Sequence, residues 1–433
     1  MTQPSDRHVD RSQELLRRAQ RVIPSCTQTF SKGPTQYVQG VAPVFLQRGR
    51  GSHVWDVDGN EYIDYPMALG PVILGHCDPD VTRAVQAQME DGVAFSLPHP
   101  LEVEVAELLT EVIPCAGMVR FGKNGSDATT GAVRAARAIT GRDMVACCGY
   151  HGWQDWYVGS TTRHRGVPDA VRALTRTFQY NDVASLRSLF DEHPGRIAAV
   201  VMEPVGLVEP ADDFLRRVAD LTRERGALLI FDEIVTGFRL ALGGAQELYG
   251  VVPDLACFGK AMANGYPLAA VVGRPEAMEV FDEIFFSFTF GGEALSLAAA
   301  KATIAALRDR DVIPHLWRQG RQLQNGYNAL AAESGLEAST ECIGLPPRTV
   351  VTFKDAAGED SLPMKSLFQQ EMIKRGILTA GGFNMCWSHS DADIDRTLVA
   401  MRASLQILSS AVAADEVERR LEGPTIEPVF RCA

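Results

Sequence analysis

A lysine among small residues is the first candidate for chemistry in this sequence of 433 residues. Lys260 lies in the segment Phe258-Gly-Lys-Ala-Met-Ala-Asn-Gly265, which is flanked by apolar runs. A lysine in such a setting either extends along an apolar surface to solvent or acts as an amine that attacks carbonyl compounds. Because most lysines are exposed and inert, Lys260 considered alone favours the first interpretation.

Asp232 raises the weight of the second interpretation. It directly follows the apolar run Ala-Leu-Leu-Ile-Phe, and one helix-and-strand excursion of a β-α-β sheet separates it from Lys260. A carboxylate at that point can bind a protonated pyridine nitrogen, so Asp232 and an imine-forming Lys260 meet the minimal demand of a pyridine cofactor that carries an aldehyde. The alternative for Asp232 is a structural ion pair or a helix cap.

A short turn provides a candidate phosphate site. Asn124-Gly125-Ser126 precedes Asp127 and a helix predicted over residues 129–139. Glycine lets backbone N–H groups approach an anion, the serine adds a hydroxyl, and the helix dipole favours negative charge. An ordinary helix cap is the alternative, since Gly-Ser-Asp is common at helix N-termini.

Other polar residues follow predicted strands, where ligands bind in open α/β sheets. Tyr150 and His151 follow the run 144–148, and Glu203 follows the run 197–202, so we predict all three in the cofactor site. The Tyr150 ring can stack on one face of a planar cofactor and Ile234 can cover the other, although core packing is the commoner fate of both types. Thr289 offers a hydroxyl beside two glycines, with a simple turn as the alternative.

The pattern of apolar residues predicts an α/β fold. Short continuous apolar runs alternate with helical stretches after about residue 100, which is typical of a doubly wound, mostly parallel sheet covered on both faces. In residues 44–65 short apolar groups are separated by glycines and a turn, which is typical of a small antiparallel sheet, and the pattern beyond residue 310 predicts an α+β unit. We therefore predict an N-terminal arm and part of a small domain over 1–70, a large domain over 71–309 and a C-terminal small domain over 310–433. The predicted strands of the large domain are 118–121, 144–148, 197–202, 227–231, 255–258 and 268–272, and two more are predicted near 349–353 and 377–378.

Composition excludes several classes of partner. The formal net charge is −12 and the sequence pI is about 5.3, so the chain has no basic field for nucleic acid or an anionic membrane. Nine cysteines are scattered without the spacing of a zinc site or a disulfide framework, and we expect no bound metal. With no apolar run long enough to cross a bilayer, we expect a cytoplasmic protein without a membrane partner.

Seven ordered segments resemble the class III (subgroup II) aminotransferases of fold type I, and most closely the glutamate-1-semialdehyde 2,1-aminomutase branch. The similarity runs through most of the chain, and the ordered set is far more specific than any single segment. The segments are Trp55-Asp-Val-Asp-Gly-Asn-Glu-Tyr-Ile-Asp64, Met118-Val-Arg-Phe-Gly-Lys-Asn-Gly-Ser-Asp-Ala128, Tyr150-His-Gly152, Met202-Glu-Pro-Val205, Phe231-Asp-Glu-Ile-Val-Thr-Gly-Phe-Arg239, Pro253-Asp254 ahead of Lys260, and Thr289-Phe-Gly-Gly292.

The resemblance implies a pyridoxal 5'-phosphate (PLP) enzyme with its small domain built from both termini. It assigns Lys260 to the Schiff base and to proton transfer, Asp232 to the pyridinium nitrogen, Tyr150 and Ile234 to the ring faces, and Gly125 with Ser126 to the phosphate. It also implies a homodimer in which Thr289 reaches the phosphate of the neighbouring active site.

Departures from the aminomutase pattern guide the choice of substrate. Lys32 stands where the family's N-terminal arm typically has a carboxylate-binding arginine, and it lacks the planar fork of that residue. Glu293 replaces an asparagine and Asp127 replaces a glutamate, and neither replacement indicates a substrate. The stretch after His151 is shorter than the gating loop and is aromatic, with Trp153, Trp156 and Tyr157, which argues against exchange within one substrate. We therefore expect an aminotransferase that moves an amino group from an amino-acid donor to a specialised small carbonyl compound. The alternative is glutamate-1-semialdehyde 2,1-aminomutase, which exchanges the group within one substrate.

Overall fold

A computed structural model describes residues 7–429 of the chain, and these divide into two compact units. The first unit combines residues 7–78 with 314–429, and the second contains residues 79–313. The three-part division drawn from the sequence, with its separate N-terminal arm, stays a prediction. No helix within residues 7–429 is long and apolar enough to cross a membrane.

The described residues form fourteen strands and fourteen α-helices, besides short 3-10 turns. The strands are β1 (Leu46–Arg50), β2 (His53–Asp56), β3 (Glu61–Asp64), β4 (Met118–Gly122), β5 (Met144–Cys148), β6 (Thr175–Thr177), β7 (Ile197–Met202), β8 (Leu228–Asp232), β9 (Leu255–Phe258), β10 (Ala269–Gly273), β11 (Thr340–Leu345), β12 (Arg348–Phe353), β13 (Ile377–Leu378) and β14 (Gly382–Asn384). The helices are α1 (Asp10–Val22), α2 (Pro79–Asp91), α3 (Pro100–Val112), α4 (Gly125–Thr140), α5 (Asp155–Val158), α6 (Asp169–Arg172), α7 (Val183–Glu192), α8 (Phe214–Glu224), α9 (Ala245–Tyr249), α10 (Pro275–Met278), α11 (Ala294–Asp309), α12 (Val312–Glu333), α13 (Leu362–Lys374) and α14 (Asp391–Ala413).

The second unit is built on one seven-stranded sheet in the order β4-β10-β9-β8-β7-β5-β6. β5 to β9 pair in parallel, whereas β10 is antiparallel to both of its neighbours, β4 and β9. Every residue of β7, β8, β9 and β10 is buried, which explains why these strands appear in the sequence as continuous apolar runs. The predicted doubly wound, mostly parallel sheet is therefore confirmed.

Helix α4 illustrates how local sequence positions the site. Its 16 residues, Gly125–Thr140, follow the cap residue Asn124, whose side chain accepts the N–H of Asp127 while the Asp127 carboxylate accepts the N–H of Asn124. The left-handed Gly141 ends the helix. A run of buried alanines faces the sheet, so small side chains bring the helix close to the strands. The predicted helix, 129–139, began four residues too late and ended one residue too early, because the capping box starts the helix at Gly125.

The first unit contains two small sheets. β1, β2 and β3 form the antiparallel meander expected from residues 44–65, and β13 adds to β3 in parallel. β11, β12 and β14 form an antiparallel sheet, of which only β12 was predicted. Asp58, in the turn between β2 and β3, also accepts the backbone N–H groups of Arg11 and Ser12, so this turn caps the N-terminus of α1.

Candidate active site

Three neighbouring parallel strands bring the predicted polar residues to one edge of the sheet. Cys148 at the end of β5 pairs with Met202 at the end of β7, and Met202 pairs with Phe231 of β8. Tyr150 and His151 therefore leave the sheet beside Glu203, and Asp232 ends the next strand. This is the carboxyl edge, where open α/β sheets bind ligands.

His151 and Asp232 form a buried pair at that edge. Nδ1 of His151 lies 2.8 Å from Oδ2 of Asp232, and only 1% of His151 and 4% of Asp232 are exposed. Nε2 of His151 faces the carbonyl oxygen of Cys148 at 3.1 Å, and the N–H of Ile234 donates to Oδ1 of Asp232 at 3.1 Å. Both ring nitrogens therefore face oxygen atoms, which holds the imidazole between the ends of β5 and β8.

The aromatic residues after His151 belong partly to the core. The ring of His151 stacks on Trp156 with centroids 6.0 Å apart and meets the edge of Tyr157 at 5.2 Å. The Trp156 Nε1–H donates to the Thr130 hydroxyl, and both Trp156 and Tyr157 are buried. Of the three aromatic residues in the stretch after His151, only Trp153 is largely exposed. Trp156 and Tyr157 are buried and pack against His151.

Glu203 contacts the backbone of Tyr150. Its Oε1 accepts the N–H of Tyr150 at 3.0 Å, and its own N–H donates to the carbonyl of Cys148 at 3.2 Å. Gly149 has a left-handed φ of 110°, and a Cβ there would lie 3.1 Å from Cγ of Glu203. Tyr150 is 52% exposed as a residue, and its ring meets Tyr157 edge-on at 5.6 Å. Glu203 thus fixes the backbone from which the Tyr150 ring projects.

The turn before α4 has the free groups that an anion needs. Gly125 and Ser126 are the first residues of the helix, and no acceptor within residues 7–429 pairs with their N–H groups. The Ser126 Oγ accepts the N–H of Trp153 at 3.3 Å. A Cβ on Gly152 would lie 2.2 Å from that Oγ, so the chain passes the serine at a point where only glycine fits. Two N–H groups and one hydroxyl therefore converge at the positive end of a helix dipole.

Ile234 joins the turn to the segment of Lys260. A Cβ added to Gly125 would lie 3.1 Å from Cδ1 of Ile234, and a Cβ added to Gly259 would lie at the same distance from the same atom. Lys260 follows β9, which pairs with β8 through Cys257 and Asp232. Lys260 has a left-handed φ of 41°, a conformation that non-glycine residues adopt at an energetic cost and that is concentrated at functional sites.

Thr289 is the predicted site residue that this network does not include. It lies in an exposed turn, and no hydrogen bond joins its side chain to another residue of the described chain. Sequence reasoning in turn missed the glycines that make the network compact, above all Gly152 and Gly259. The sequence feature that could have identified these two glycines is their position directly beside His151 and Lys260.

A separate cavity of about 300 Å³ lies within the first unit. Its walls are mainly apolar and include Ala68, Leu69 and Leu378, with Lys32 among the few charged groups. Met67, Ala68 and Leu69 all have left-handed φ values, between 42° and 75°, so a strained turn carries two of the wall residues. Asp64, also in the wall, is buried and accepts hydrogen bonds from other residues of this unit.

The sheet, its crossover helices and the groups at its carboxyl edge define a fold type I PLP-dependent enzyme. The family model described as aminotransferase class-III matches residues 36–341, and the chain belongs to this family. It is 36% identical over 405 residues to the 3-aminobutyryl-CoA aminotransferase of Cloacimonas acidaminovorans, covering 91% of this chain and 96% of that protein. It is 39% identical over 401 residues to the glutamate-1-semialdehyde 2,1-aminomutase of Roseiflexus castenholzii, covering 86% and 92%.

A solved structure extends the likeness to three dimensions. The PLP internal aldimine form of FumI from Sphingopyxis sp. MTA144 superposes with a TM-score of 0.86 at 30% identity, covering 93% of this chain and 98% of that one. The cofactor of the family is PLP. The groups at the edge fit it, because the free N–H groups beside Ser126 suit a phosphate, the carboxylate of Asp232 suits a pyridinium, and Lys260 follows the adjoining strand.

Proposed function

We propose that this chain is an intermolecular aminotransferase that moves an amino group from an amino-acid donor to a specialised small carbonyl compound. The observation that carries the proposal is the buried His151–Asp232 pair at the end of β8, directly beside the strand that leads to Lys260. A carboxylate fixed at this edge of the sheet stabilises positive charge on a pyridine nitrogen. The free groups of Gly125 and Ser126 supply the phosphate site of the same edge.

Each residue has a distinct task in this proposal. When bound, PLP delocalises the electron pair left by a broken Cα–H bond. Nζ of Lys260 accepts the α-proton of the donor and later returns a proton, as general base and then general acid. Asp232 stabilises the pyridinium, and His151 holds that carboxylate in position. Glu203 contributes through the backbone of Tyr150.

Contacts to the cofactor body follow from the same arrangement. The N–H groups of Gly125 and Ser126 and the Ser126 hydroxyl bind the phosphate. The open face of the Tyr150 ring stacks on one side of the pyridine, and Ile234, already packed against Gly125, covers the other. These contacts orient the ring without a metal ion.

The choice between aminotransferase and aminomutase depends on substrate recognition. The relatives include both a 3-aminobutyryl-CoA aminotransferase and aminomutases, at similar identities. Lys32 presents a point charge rather than a bidentate fork, and the cavity that it lines is mainly apolar. Because Lys32 stands where the aminomutase pattern has an arginine, we infer that the substrate differs from glutamate 1-semialdehyde, which favours intermolecular transfer.

A second copy of the chain is the proposed partner. Thr289 lies among exposed aromatic side chains, with Phe285 81% exposed and Phe290 58% exposed, and apolar area of this kind marks interfaces. We propose a homodimer in which Thr289 donates its hydroxyl to the phosphate in the neighbouring subunit. Thr289→Val should weaken PLP binding while sedimentation still reports a dimer, and a monomeric wild-type protein would contradict this part of the proposal.

The proposed compartment is the cytoplasm. The cysteines of the described chain have free thiols, and Cys77 is exposed while Cys26 is partly so. Cys432 lies outside the described residues. Exposed thiols persist in a reducing compartment and oxidise elsewhere, which supports a cytoplasmic location. Cell fractionation would test it, with recovery in an oxidising compartment as the contrary result.

The half-reaction with a donor alone tests the proposed function. Purified holoenzyme is mixed with single amino acids, and the absorbance band of the Schiff base is followed together with released oxo acid. An aminotransferase loses the band and releases one oxo acid per site. Return of the amino group within one substrate, with no oxo acid released, would identify an aminomutase instead. Lys260→Ala serves as the control, because an unchanged band in this variant would remove Lys260 from the chemistry.

A further inference from the structure

Lys123 and Glu293 form an ion pair between two distant segments of the second unit. Nζ of Lys123 lies 3.0 Å from Oε2 of Glu293, and only 18% and 14% of their side chains are exposed. Lys123 directly precedes Asn124, the cap of the turn that we assign to phosphate. Glu293 directly follows the glycine pair after Thr289. The pair therefore joins the start of α4 to the start of α11.

Glu293 has its own structural task, which is to cap helix α11. Its carboxylate accepts the N–H groups of Leu295 and Ser296 and the Ser296 hydroxyl. Burial raises the pKa of Glu293, but the hydrogen bonds from Ser296 and Lys123 outweigh it and hold the pKa below the usual value. Glu293 is thus a carboxylate at neutral pH, fixed at the N-terminus of a 16-residue helix.

A fixed carboxylate beside a phosphate site creates an electrostatic conflict. The N–H groups of Gly125 and Ser126 lie two and three residues beyond Lys123, so their Cα atoms are at most about 8 Å and 11 Å from that of Lys123, close to the Debye length of about 10 Å at 0.1 M salt. The Glu293 carboxylate occupies the positive end of the α11 dipole, and its negative charge repels an anion at that distance. A positive charge between the two removes the conflict.

We propose that Lys123 is a positioning residue for the cofactor phosphate, which neutralises the capping carboxylate of Glu293 so that an acidic helix cap can stand next to the phosphate turn. The inference rests on the proposed function, because it takes the turn at Gly125 and Ser126 as the phosphate site. Lys123 acts through Glu293 and through the turn that it precedes. Asp127 supports the same geometry, since its Oδ2 accepts the backbone N–H groups of both Lys123 and Asn124.

The contribution of the phosphate to binding is measured by comparing the affinities for PLP and for pyridoxal, which lacks the phosphate. Apoprotein is titrated at pH 8 with each compound for the wild type, Lys123→Met, Glu293→Gln and the double variant. Lys123→Met should bind PLP about tenfold more weakly, because the unpaired Glu293 carboxylate then repels the phosphate, while pyridoxal binding changes less than about twofold. Glu293→Gln should stay within about twofold of the wild type, since no repelling charge remains. The double variant should recover to within about threefold.

A second ion pair on the same helix provides a matched control. Nζ of Lys301, on α11, contacts Glu104 of α3, and both side chains are about half exposed. Lys301→Met also removes a lysine charge that is paired with a glutamate, and it should leave the ratio of PLP to pyridoxal affinity unchanged. The loss in Lys123→Met should also shrink when salt is raised or when the pH is lowered enough to protonate Glu293, as expected for charge repulsion.

The outcomes separate this inference from the proposed function. If the wild-type apoprotein binds PLP no better than pyridoxal, the phosphate turn and the proposed function both fail. If the wild type prefers PLP strongly but Lys123→Met keeps that preference, or if the double variant is as weak as Lys123→Met, the proposed function stands and the role of Lys123 is wrong. Equal weakening for PLP and pyridoxal would likewise overturn the inference, because it indicates a general structural defect.

Discussion

The imidazole of His151 bridges Oδ2 of Asp232, 2.8 Å from Nδ1, and the carbonyl oxygen of Cys148, 3.1 Å from Nε2. A residue at the end of β8 is thereby tied to the end of β5, across the strand β7 between them. The orientation of Asp232 is thus set by the sheet and does not depend on a ligand.

Truncation of His151 should destabilise the protein. His151→Ala leaves the buried Asp232 carboxylate with the N–H of Ile234 as its remaining described donor, and we expect the free energy of unfolding to fall by about 3 kcal/mol. His151→Asn keeps an N–H for Asp232 and should lose about half as much. Urea denaturation of the cofactor-free variants measures both, and equal losses would show that the hydrogen bond to Asp232 contributes nothing.

Replacing Glu233 with its amide should be nearly as damaging as removing it. The buried carboxylate of Glu233 accepts the N–H groups of Ala245 and Gln246 at 2.8 Å each, and also the Thr236 hydroxyl. Burial raises the pKa of Glu233 to about 7, although the hydrogen bonds from these donors act to lower it. Glu233→Gln turns an NH₂ toward a backbone N–H, so we expect a loss of about 2 kcal/mol in unfolding free energy. Denaturant titration checks this, and a neutral Gln variant would contradict it.

Stability of the first unit should decline above neutral pH through His53. Nε2 of His53 lies 3.1 Å from Asp393, Nδ1 lies 2.8 Å from Glu61, and the hydrogen bond to Asp393 raises the pKa of His53 despite partial burial. A raised histidine pKa means that the stabilisation is complete below the unfolded value of about 6.5 and is lost as pH rises through the folded value. The pKa of Asp393 is lowered, so its own contribution is lost only in acid.

The measurement for His53 is the thermal midpoint between pH 6 and 8.5. The wild type should lose several degrees over this range beyond any loss seen in Asp393→Asn, in which the main partner of His53 is uncharged. The two proteins are compared by how steeply the thermal midpoint falls with pH. The absolute midpoints are not compared, because Asp393 also caps α14 and its substitution lowers the midpoint at every pH. Parallel curves for the two proteins would rule out His53 as the titrating group.

The strands were predictable where burial on both faces left an unbroken apolar run. The five-residue run that ends at Cys148 and the six-residue run that ends at Met202 match β5 and β7 to the residue. β6 was missed because its sequence, Thr-Arg-Thr, lies at a sheet edge and carries no apolar signal. β11 and β14 were missed for a related reason, since the side chains of both are only partly buried.

The candidate site was predictable in its residue types but not in its contacts. A polar residue after an apolar run indicates the carboxyl edge of a sheet. This pattern predicted His151, Glu203 and Asp232 as residues of the site. That His151 binds Asp232, or that Glu203 holds the backbone of Tyr150, depends on which strands are neighbours and on side-chain rotamers. The Lys123–Glu293 pair was hidden for the same reason, because 170 positions separate its members.

Substitution of Gly152 should impair phosphate binding through Ser126. In Gly152→Ala the new Cβ would lie 2.2 Å from the Ser126 Oγ, so the hydroxyl has to move, and the left-handed φ of 106° adds strain. Gly166→Ala is the matched control, since Gly166 has a φ of 94° in the same unit but no atom within 4 Å of a new Cβ. Both variants should lose about 1 kcal/mol of stability from backbone strain, whereas only Gly152→Ala should bind PLP tenfold or more weakly. Fluorescence titration of the apoproteins with PLP distinguishes them, and equal affinities would mean that Ser126 has no part in holding the phosphate.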